Sequence, residues 1–157
     1  MGTARVYIGS PSGVILCVDR RIKGNIEGTL FHGYEREGIP FFGFEDVLRK
    51  SEALFDALGF PHRGTKERSF EKAARKKTER SETAERMAKV MSDEELLRQH
   101  GDLGTFVIRV QHRQHSTWQG VVTCMETREE IPFRSALELM KLIDGVLDQT
   151  ERKAVSQ

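Results

Sequence analysis

Acidic side chains spaced four residues apart are the first group in this 157-residue sequence that could do chemistry. Glu52 with Asp56, and Asp144 with Asp148, fall on one side of a helix if their segments are helical. Two neighbouring carboxylates serve as general acid and base where burial raises the pKa of one of them. The flanking residues do not indicate such a pocket, so we assign no catalytic residue and do not expect an enzyme; a catalytic pair is the alternative.

A structural role accounts better for these carboxylates. Like charges at this spacing repel each other, and the dipole at the C-terminal end of a helix is also unfavourable for them. Arg21 and Arg113 precede the two acidic pairs at equal distances along the chain. We therefore hypothesise two ion pairs drawn from Arg21, Asp56, Arg113 and Asp148, each holding a helix against the hairpin of its own half of the chain.

Planar polar side chains form a second candidate group. Arg109, Gln111 and Arg113 alternate along a strand-like segment, and Gln119 is expected opposite Gln111. Guanidinium and amide groups bind phosphate or the polar surface of a macromolecule, and Trp118 could stack on a base, although alternation directs it inward. The candidates for binding a protein partner are Arg109, Gln111, Arg113 and Gln119. A solvated sheet face is the alternative.

Metal and phosphate sites are not expected. His112 and His115 flank a predicted turn, and neither has a cysteine or carboxylate neighbour to complete a set of ligands. The glycine-rich segment 9–13 lacks the Gly-Lys-Ser/Thr ending of a phosphate-binding loop. We therefore predict no metal and no cofactor.

These residues belong to a sequence that repeats itself. Residues 13–56 align with residues 105–148 at a constant offset of 92, without a gap. Nine aligned positions are identical, and the spacing of the apolar residues is retained: Val18/Val110, Arg21/Arg113, Gly28/Gly120, Arg36/Arg128, Glu37/Glu129, Ile39/Ile131, Pro40/Pro132, Phe41/Phe133 and Asp56/Asp148. Shared residues are expected to build the fold, and function is expected where the two halves differ.

Each half has the pattern of two strands followed by a helix. Phe106, Ile108 and Val110 alternate with polar residues, which is typical of a half-buried strand, and a second strand returns after a turn. An Ile-Pro-Phe triplet then predicts at most a short edge strand, because proline lacks an N–H. Apolar residues at helical spacing follow, and Ser135 with Glu138 forms a capping box at the start of the second helix.

One unit of this size is too small to bury a stable core. We therefore predict an α+β fold in which two ββα units, residues 13–60 and 104–150, form one pseudo-twofold antiparallel sheet with the helices on one face. The whole chain, 1–157, is predicted to be a single domain. Residues 61–103 are predicted to be a charged helical connector, and residues 151–157 a disordered tail.

The connector contains a basic stretch that nucleic acid could contact. Its candidate residues are the Lys and Arg side chains between residues 62 and 80, namely Arg63, Lys66, Arg68, Lys72, Arg75, Lys76, Lys77 and Arg80. A solvated helix or a partly disordered linker is the alternative. Ser92 with Glu95 forms another capping box, which predicts a short helix that ends near Gly101.

The second helix is more apolar than the first. Leu137 and Leu142 lie beside its apolar stripe, where the first helix has Glu45 and Lys50. This difference predicts a wider apolar face that the connector or another subunit covers, so both leucines are also partner-binding candidates. A homo-oligomer and a monomer are both compatible with this pattern.

Composition limits the class of protein. The net charge is +1, so the chain as a whole does not attract nucleic acid or anionic lipid. Two cysteines cannot form a disulfide framework, and the apolar runs near the start are too short to span a membrane. We predict a cytoplasmic protein with free thiols and no membrane contact.

The last third of the chain resembles a family of short bacterial proteins for which no activity is established. The motifs are Arg-Val-x-x-Arg-Gln at 109–114, Trp-Gln-Gly at 118–120 and Phe-Arg-Ser-x-Leu-Glu-Leu at 133–139. The resemblance implies a bacterial or phage origin and assigns no site residues to this chain.

These patterns predict a non-catalytic binding or regulatory protein that acts through a protein partner, such as an inhibitor or adaptor of a bacterial or phage system. The alternative is a nucleic-acid-binding protein that uses Arg109, Arg113 and the basic connector. Binding to DNA or RNA that weakens steeply with salt would favour the alternative.

Overall fold

The computed structural model describes Ile8, residues 12–62 and residues 88–156, with side chains as far as residue 153. The fold is α+β. Its elements are β1 (Val14–Ile22), β2 (Asn25–His32), β3 (Ile39–Phe42), α1 (Phe44–Leu58), α2 (Asp93–Leu97), β4 (Gly104–His112), β5 (Gln119–Cys124), β6 (Glu129–Phe133) and α3 (Ala136–Ser156).

The six strands form one antiparallel sheet in the order β3-β2-β1-β4-β5-β6. The two halves of the chain meet at its centre, where β1 pairs with β4 and Ile15 lies opposite Val107. The Ile-Pro-Phe triplets form the edge strands β3 and β6. Pro40 and Pro132 remove a backbone donor from these edges, which makes them poor templates for a further strand.

A β-bulge interrupts each central strand at the same aligned place. The register shifts between Val18 and Arg20 in β1 and between Val110 and His112 in β4. The extra residue in β4 changes which side chains face the helices beyond it. The prediction that Gln111 lies opposite Gln119 is therefore wrong, because His112 occupies that position.

Helices α1 and α3 pack on one face of the sheet and enclose the main core. Val47 and Phe55 of α1 and Leu139 and Leu147 of α3 are buried against strand residues such as Leu16. Gly59 ends α1 in the left-handed region at φ +68°, which a residue with a side chain rarely adopts. Both helices thus pack against the apolar sides of β1 and β4.

Helix α2 lies on the opposite face of the sheet. Leu96 of α2 and the nearby Met91 pack with Ile15, Cys17 and Val107 in a second cluster of buried residues. The predicted capping box is present: the Glu95 amide donates to Ser92 Oγ at 3.1 Å, and the Ser92 amide donates to the Glu95 carboxylate at 2.9 Å. The helix ends at Leu97, several residues before the predicted end.

Helix α3 is longer than the sequence pattern indicates. The Ser135 hydroxyl accepts from the Glu138 amide at 3.0 Å, while the Glu138 carboxylate accepts from the Arg134 amide at 2.8 Å rather than from Ser135. The helix continues through Ser156, so residues 151–156 do not form the predicted disordered tail. Among the described residues, no helix combines the length and apolar composition needed to cross a membrane.

Candidate interaction site

Simple alternation predicts that Arg113 is exposed on the sheet face. In the structure it is instead buried beneath α1. It is 4% exposed, and its Nε donates to the Pro61 carbonyl at 2.8 Å. Its Nη1 donates to Asp56 Oδ1 at 2.9 Å and to Glu52 Oε1 at 3.2 Å. The guanidinium therefore fastens α1 and the residues after it to the end of β4.

Two aromatic rings complete this network. The Trp118 indole N–H donates to Glu52 Oε2 at 2.7 Å, and its ring meets the Phe55 ring edge-on at 5.5 Å between centroids. The Arg113 guanidinium carbon lies 5.6 Å from the centroid of Phe55. Glu52 is thus held by two donors from the second half of the chain, and Trp118 faces the core, as its place in the alternation predicts.

Arg21 makes the corresponding contacts with α3. Its guanidinium donates to Asp148, to Glu151 at 2.6 Å and to Asp144 at 3.4 Å. Hydrogen bonds to Asp148 and Glu151 raise the pKa of Arg21 above its usual range. The hypothesis that each arginine holds the helix of its own half is wrong in this respect, because each holds the helix of the other half.

The four polar sheet-face candidates do not form one basic surface. Arg109 pairs with Glu130 at 2.5 Å, which neutralises its charge locally. The Gln119 amide donates to the Gln114 carbonyl at 2.9 Å and accepts from the Gln114 amide at 3.0 Å, and so closes the β4–β5 turn. Of the four, only Gln111 is exposed, at the bulge, and Arg113 faces the helices. The nucleic-acid candidates from Arg63 to Arg80 lie outside the described residues.

Leu137 and Leu142 lie on different flanks of α3. Five residues correspond to about 500° around a helix, so the two side chains diverge by roughly 140°. Leu137 is 57% exposed, whereas Leu142 is partly buried against the main core. The predicted single wide apolar face is therefore two separate features, and only Leu142 belongs to a cleft.

This α3–β6 cleft lies between the C-terminal helix and the second half of the sheet. It encloses about 30 Å³, and its lining is Phe106, Val122, Cys124, Glu129, Ile131, Leu142, Ile143 and Val146. Ile131 at the edge strand is 41% exposed, while Phe106 and Ile143 are fully buried beneath it. The cleft therefore presents apolar surface that is open on one side. Of this lining, the sequence patterns singled out only Leu142 as a partner-binding candidate. The signal was that Leu142 aligns with Lys50 of the first half.

The aligned place in the first half is closed by a lysine. Lys50 Nζ donates to the Pro40 carbonyl at 2.6 Å and lies 3.2 Å from Asp46 Oδ2. The ammonium group thus links α1 to edge strand β3. Leu142 cannot make this link, so the same place beside β6 is left apolar.

A buried hydroxyl also distinguishes the first half, where Ser51 stands at the position of Ile143. Ser51 is 1% exposed, and its Oγ has no hydrogen-bond partner among the residues that the structure describes. A buried hydroxyl without a partner costs stability. We expect Ser51→Ala to raise the free energy of unfolding by about 1 kcal/mol in urea denaturation.

Ser12→Ala is the matched control for this prediction. Ser12 is also fully buried, but its Oγ donates to the Val110 carbonyl at 3.1 Å. Its loss should lower the free energy of unfolding by about 1 kcal/mol. Equal losses in both variants would show that the Ser51 hydroxyl stabilises the fold.

His32 occupies the position that aligns with Cys124. Its Nδ1 accepts from the Tyr34 amide at 3.1 Å, and its Nε2 lies 3.7 Å from Glu35 Oε1. Burial lowers the pKa of His32, and the charge of Glu35 opposes that shift. Both ring nitrogens therefore have defined neighbours, and the neutral imidazole is favoured in the folded state.

The stability of the protein should consequently fall as the pH is lowered below about 6.5, the ordinary histidine value. In that range the unfolded chain binds a proton that folded His32 does not, so acid favours unfolding until the folded pKa is passed. His32→Asn retains an acceptor for the Tyr34 amide but cannot titrate. Urea denaturation across this pH range should show a smaller decline for the variant; equal declines would contradict the assignment.

The two thiols are free and buried. Burial, with the nearby charges of Asp19 and Glu126, raises the pKa of Cys17 to about 12, which keeps that thiol protonated. Cys124 Sγ donates to Glu126 Oε1 at 3.6 Å at the inner side of the α3–β6 cleft. Cys17 is therefore a packing residue rather than a nucleophile.

No family model, curated protein or solved structure matches this chain. Within residues 12–62 and 88–153, no three His, Cys, Asp or Glu side chains are grouped as metal ligands would be. Function is therefore inferred from the α3–β6 cleft and its surroundings.

Proposed function

We propose that this protein is a non-catalytic binding or regulatory protein that acts through a protein partner, and that the α3–β6 cleft is the contact surface. The observation that carries the proposal is Ile131, which is 41% exposed at the mouth of an apolar cleft. Side chains of a partner that fill such a cleft gain most of their binding energy from leaving water. An inhibitor or adaptor of a bacterial or phage system is the biological role we expect.

We also propose that the two halves arose by duplication and are related by a pseudo-twofold axis at the centre of the sheet. Ile15 lies opposite Val107, its own aligned position, and Leu16 lies opposite Phe106. The paired bulges support this proposal, as do the exchanged contacts of Arg21 with α3 and Arg113 with α1. Features common to both halves then serve the fold.

Function in this proposal belongs to the features that the halves do not share. Lys50 joins α1 to β3, and Leu142 leaves the space beside β6 open. A polar link has thus been replaced by an exposed apolar cleft on an otherwise similar frame. We place the protein in the cytoplasm, a proposal supported by its two free thiols.

The test is affinity capture from a lysate of the source cell with wild-type protein, Leu142→Lys and Leu137→Lys. Leu142→Lys should fold, because Lys50 stands at the aligned position and bonds the edge strand there. It should also close the cleft. Leu137→Lys alters an exposed leucine outside the cleft and is the matched control.

A protein retained by wild type and Leu137→Lys, but lost by Leu142→Lys, supports the proposal. Retention by all three variants would contradict the cleft as the contact surface. Nucleic acid retained with steep salt dependence would instead favour the nucleic-acid alternative. That alternative cannot rely on Arg109 and Arg113 as free cations, because both are engaged in ion pairs.

A further inference from the structure

We infer that the partner segment presents an aliphatic side chain next to a lysine or arginine, with the aliphatic group in the α3–β6 cleft and the cation beside Glu129. This inference rests on the proposed function and specifies the chemistry of the occupant. Three properties of the site lead to it: the size of the cleft, the charge at its rim and the closed hydrogen-bonding edge of β6.

The size of the cleft suits one aliphatic side chain. Its volume of about 30 Å³ corresponds to roughly two water molecules, or to the end of a leucine or isoleucine side chain. Val122, Leu142 and Val146 line it with branched aliphatic groups. Because most of the lining is aliphatic, an aliphatic group is the better match.

The residue at the rim of the cleft, Glu129, is negatively charged, and a cation would complement it. Glu129 lines the cleft and is exposed, and within the described residues no Lys, Arg or His lies at ion-pair distance from its carboxylate. Its neighbours are already engaged, because Glu130 pairs with Arg109 and Glu126 accepts from the Thr105 amide at 3.2 Å. A lysine or arginine of the partner would supply the complementary charge at Glu129.

The same rim disfavours a second copy of this chain. A twofold contact whose axis passes through the cleft rim would place Glu129 of one copy near Glu129 of the other, and like charges at an interface repel. A partner with a basic group removes this conflict. We therefore take the occupant to be a different protein with a basic group at this place.

The edge of β6 indicates that the partner binds through side chains. Pro132 lies within the outermost strand and offers no backbone N–H. A segment that tried to extend the sheet would lose a hydrogen bond at that residue. A partner at this edge would then gain its binding energy from side chains in the cleft rather than from backbone hydrogen bonds.

The test is selection of random linear peptides, displayed on phage, against the full-length wild-type protein. Selected peptides are then synthesised and their binding is measured by fluorescence anisotropy. We expect a shared aliphatic residue flanked by lysine or arginine. Affinity should fall about tenfold or more in Leu142→Lys and about threefold in Glu129→Gln, and stay unchanged in Leu137→Lys.

Other outcomes would overturn this inference in distinguishable ways. Selected peptides without a basic residue, or with affinity unaffected by Glu129→Gln, would remove the charge assignment but leave the proposed protein-binding function in place. Peptides insensitive to Leu142→Lys would move the contact away from the cleft. A selection that yields no binding peptide would count against both the inference and the proposed function.

Discussion

Arg113→Met is expected to lower the free energy of unfolding by about 3 kcal/mol, because it removes a buried cation from between two carboxylates. The variant keeps most of the aliphatic part of the side chain, so the loss reports on the guanidinium. The hydrogen bonds of the Arg113 guanidinium to the Pro61 carbonyl, Glu52 and Asp56 are all lost in the variant. Urea denaturation followed by circular dichroism measures the change.

Arg21→Met is the matched control for this prediction. Its three carboxylate partners are about half exposed, whereas those of Arg113 are about one-third exposed or less. Solvent therefore screens the Arg21 contacts more strongly, and the loss should be about 1 kcal/mol. Equal losses at the two positions would contradict the distinction between a buried and a surface network.

Gly120→Ala is expected to be equally severe, with a loss of about 3 kcal/mol or more. A Cβ atom at Gly120 would lie 2.0 Å from the Arg109 carbonyl oxygen and 3.0 Å from the Val110 Cα, so the backbone at the bulge would have to move. Both obstacles are main-chain atoms, which cannot rotate away as a flexible side chain can. The strand pairing next to Trp118 should weaken as a result.

The same substitution at Gly145 should have the opposite sign. Gly145 lies within α3, and apart from its own helix a Cβ atom there would meet no heavy atom of the described residues within 4 Å. Alanine is favoured over glycine in a helix, so Gly145→Ala should raise the free energy of unfolding by about 1 kcal/mol. Thermal unfolding of the two alanine variants compares them directly. Similar shifts in Tm for both would remove the steric explanation at Gly120.

Local patterns predicted the strands and helices well because each depends on neighbouring residues. Alternation placed β4, the proline triplets marked both edge strands, and Ser92 with Glu95 marked the start of α2. These signals repeat every two to four residues and need no knowledge of distant contacts. The α+β class and the antiparallel sheet follow from them.

Features that depend on distant contacts were not predictable in the same way. One extra residue at the bulge carries Arg113 from the solvent side to the helix side, and alternation cannot count it. Arg21 contacts α3 and Arg113 contacts α1, so each arginine contacts the helix of the other half. Which helix an arginine reaches depends on which half of the sheet that helix crosses. The cleft appears only when Leu142 and Ile131, eleven residues apart in sequence, are placed together.

A protein partner that occupies the α3–β6 cleft, as proposed, should be trapped by a crosslinker at the mouth of the cleft. A photoreactive phenylalanine analogue is placed at position 131 and, in a second protein, at position 42. Phe42 is an exposed aromatic residue on the opposite edge strand, so it is the matched control. Both proteins are irradiated in cells of the source organism.

We predict a crosslinked protein adduct from position 131 that is absent from position 42 and is lost when Leu142→Lys is added. The lysine can bond the edge strand as Lys50 does, so the adduct should disappear while the protein still folds. An adduct that persists in Leu142→Lys, or one that forms equally from position 42, would contradict the α3–β6 cleft as the contact surface.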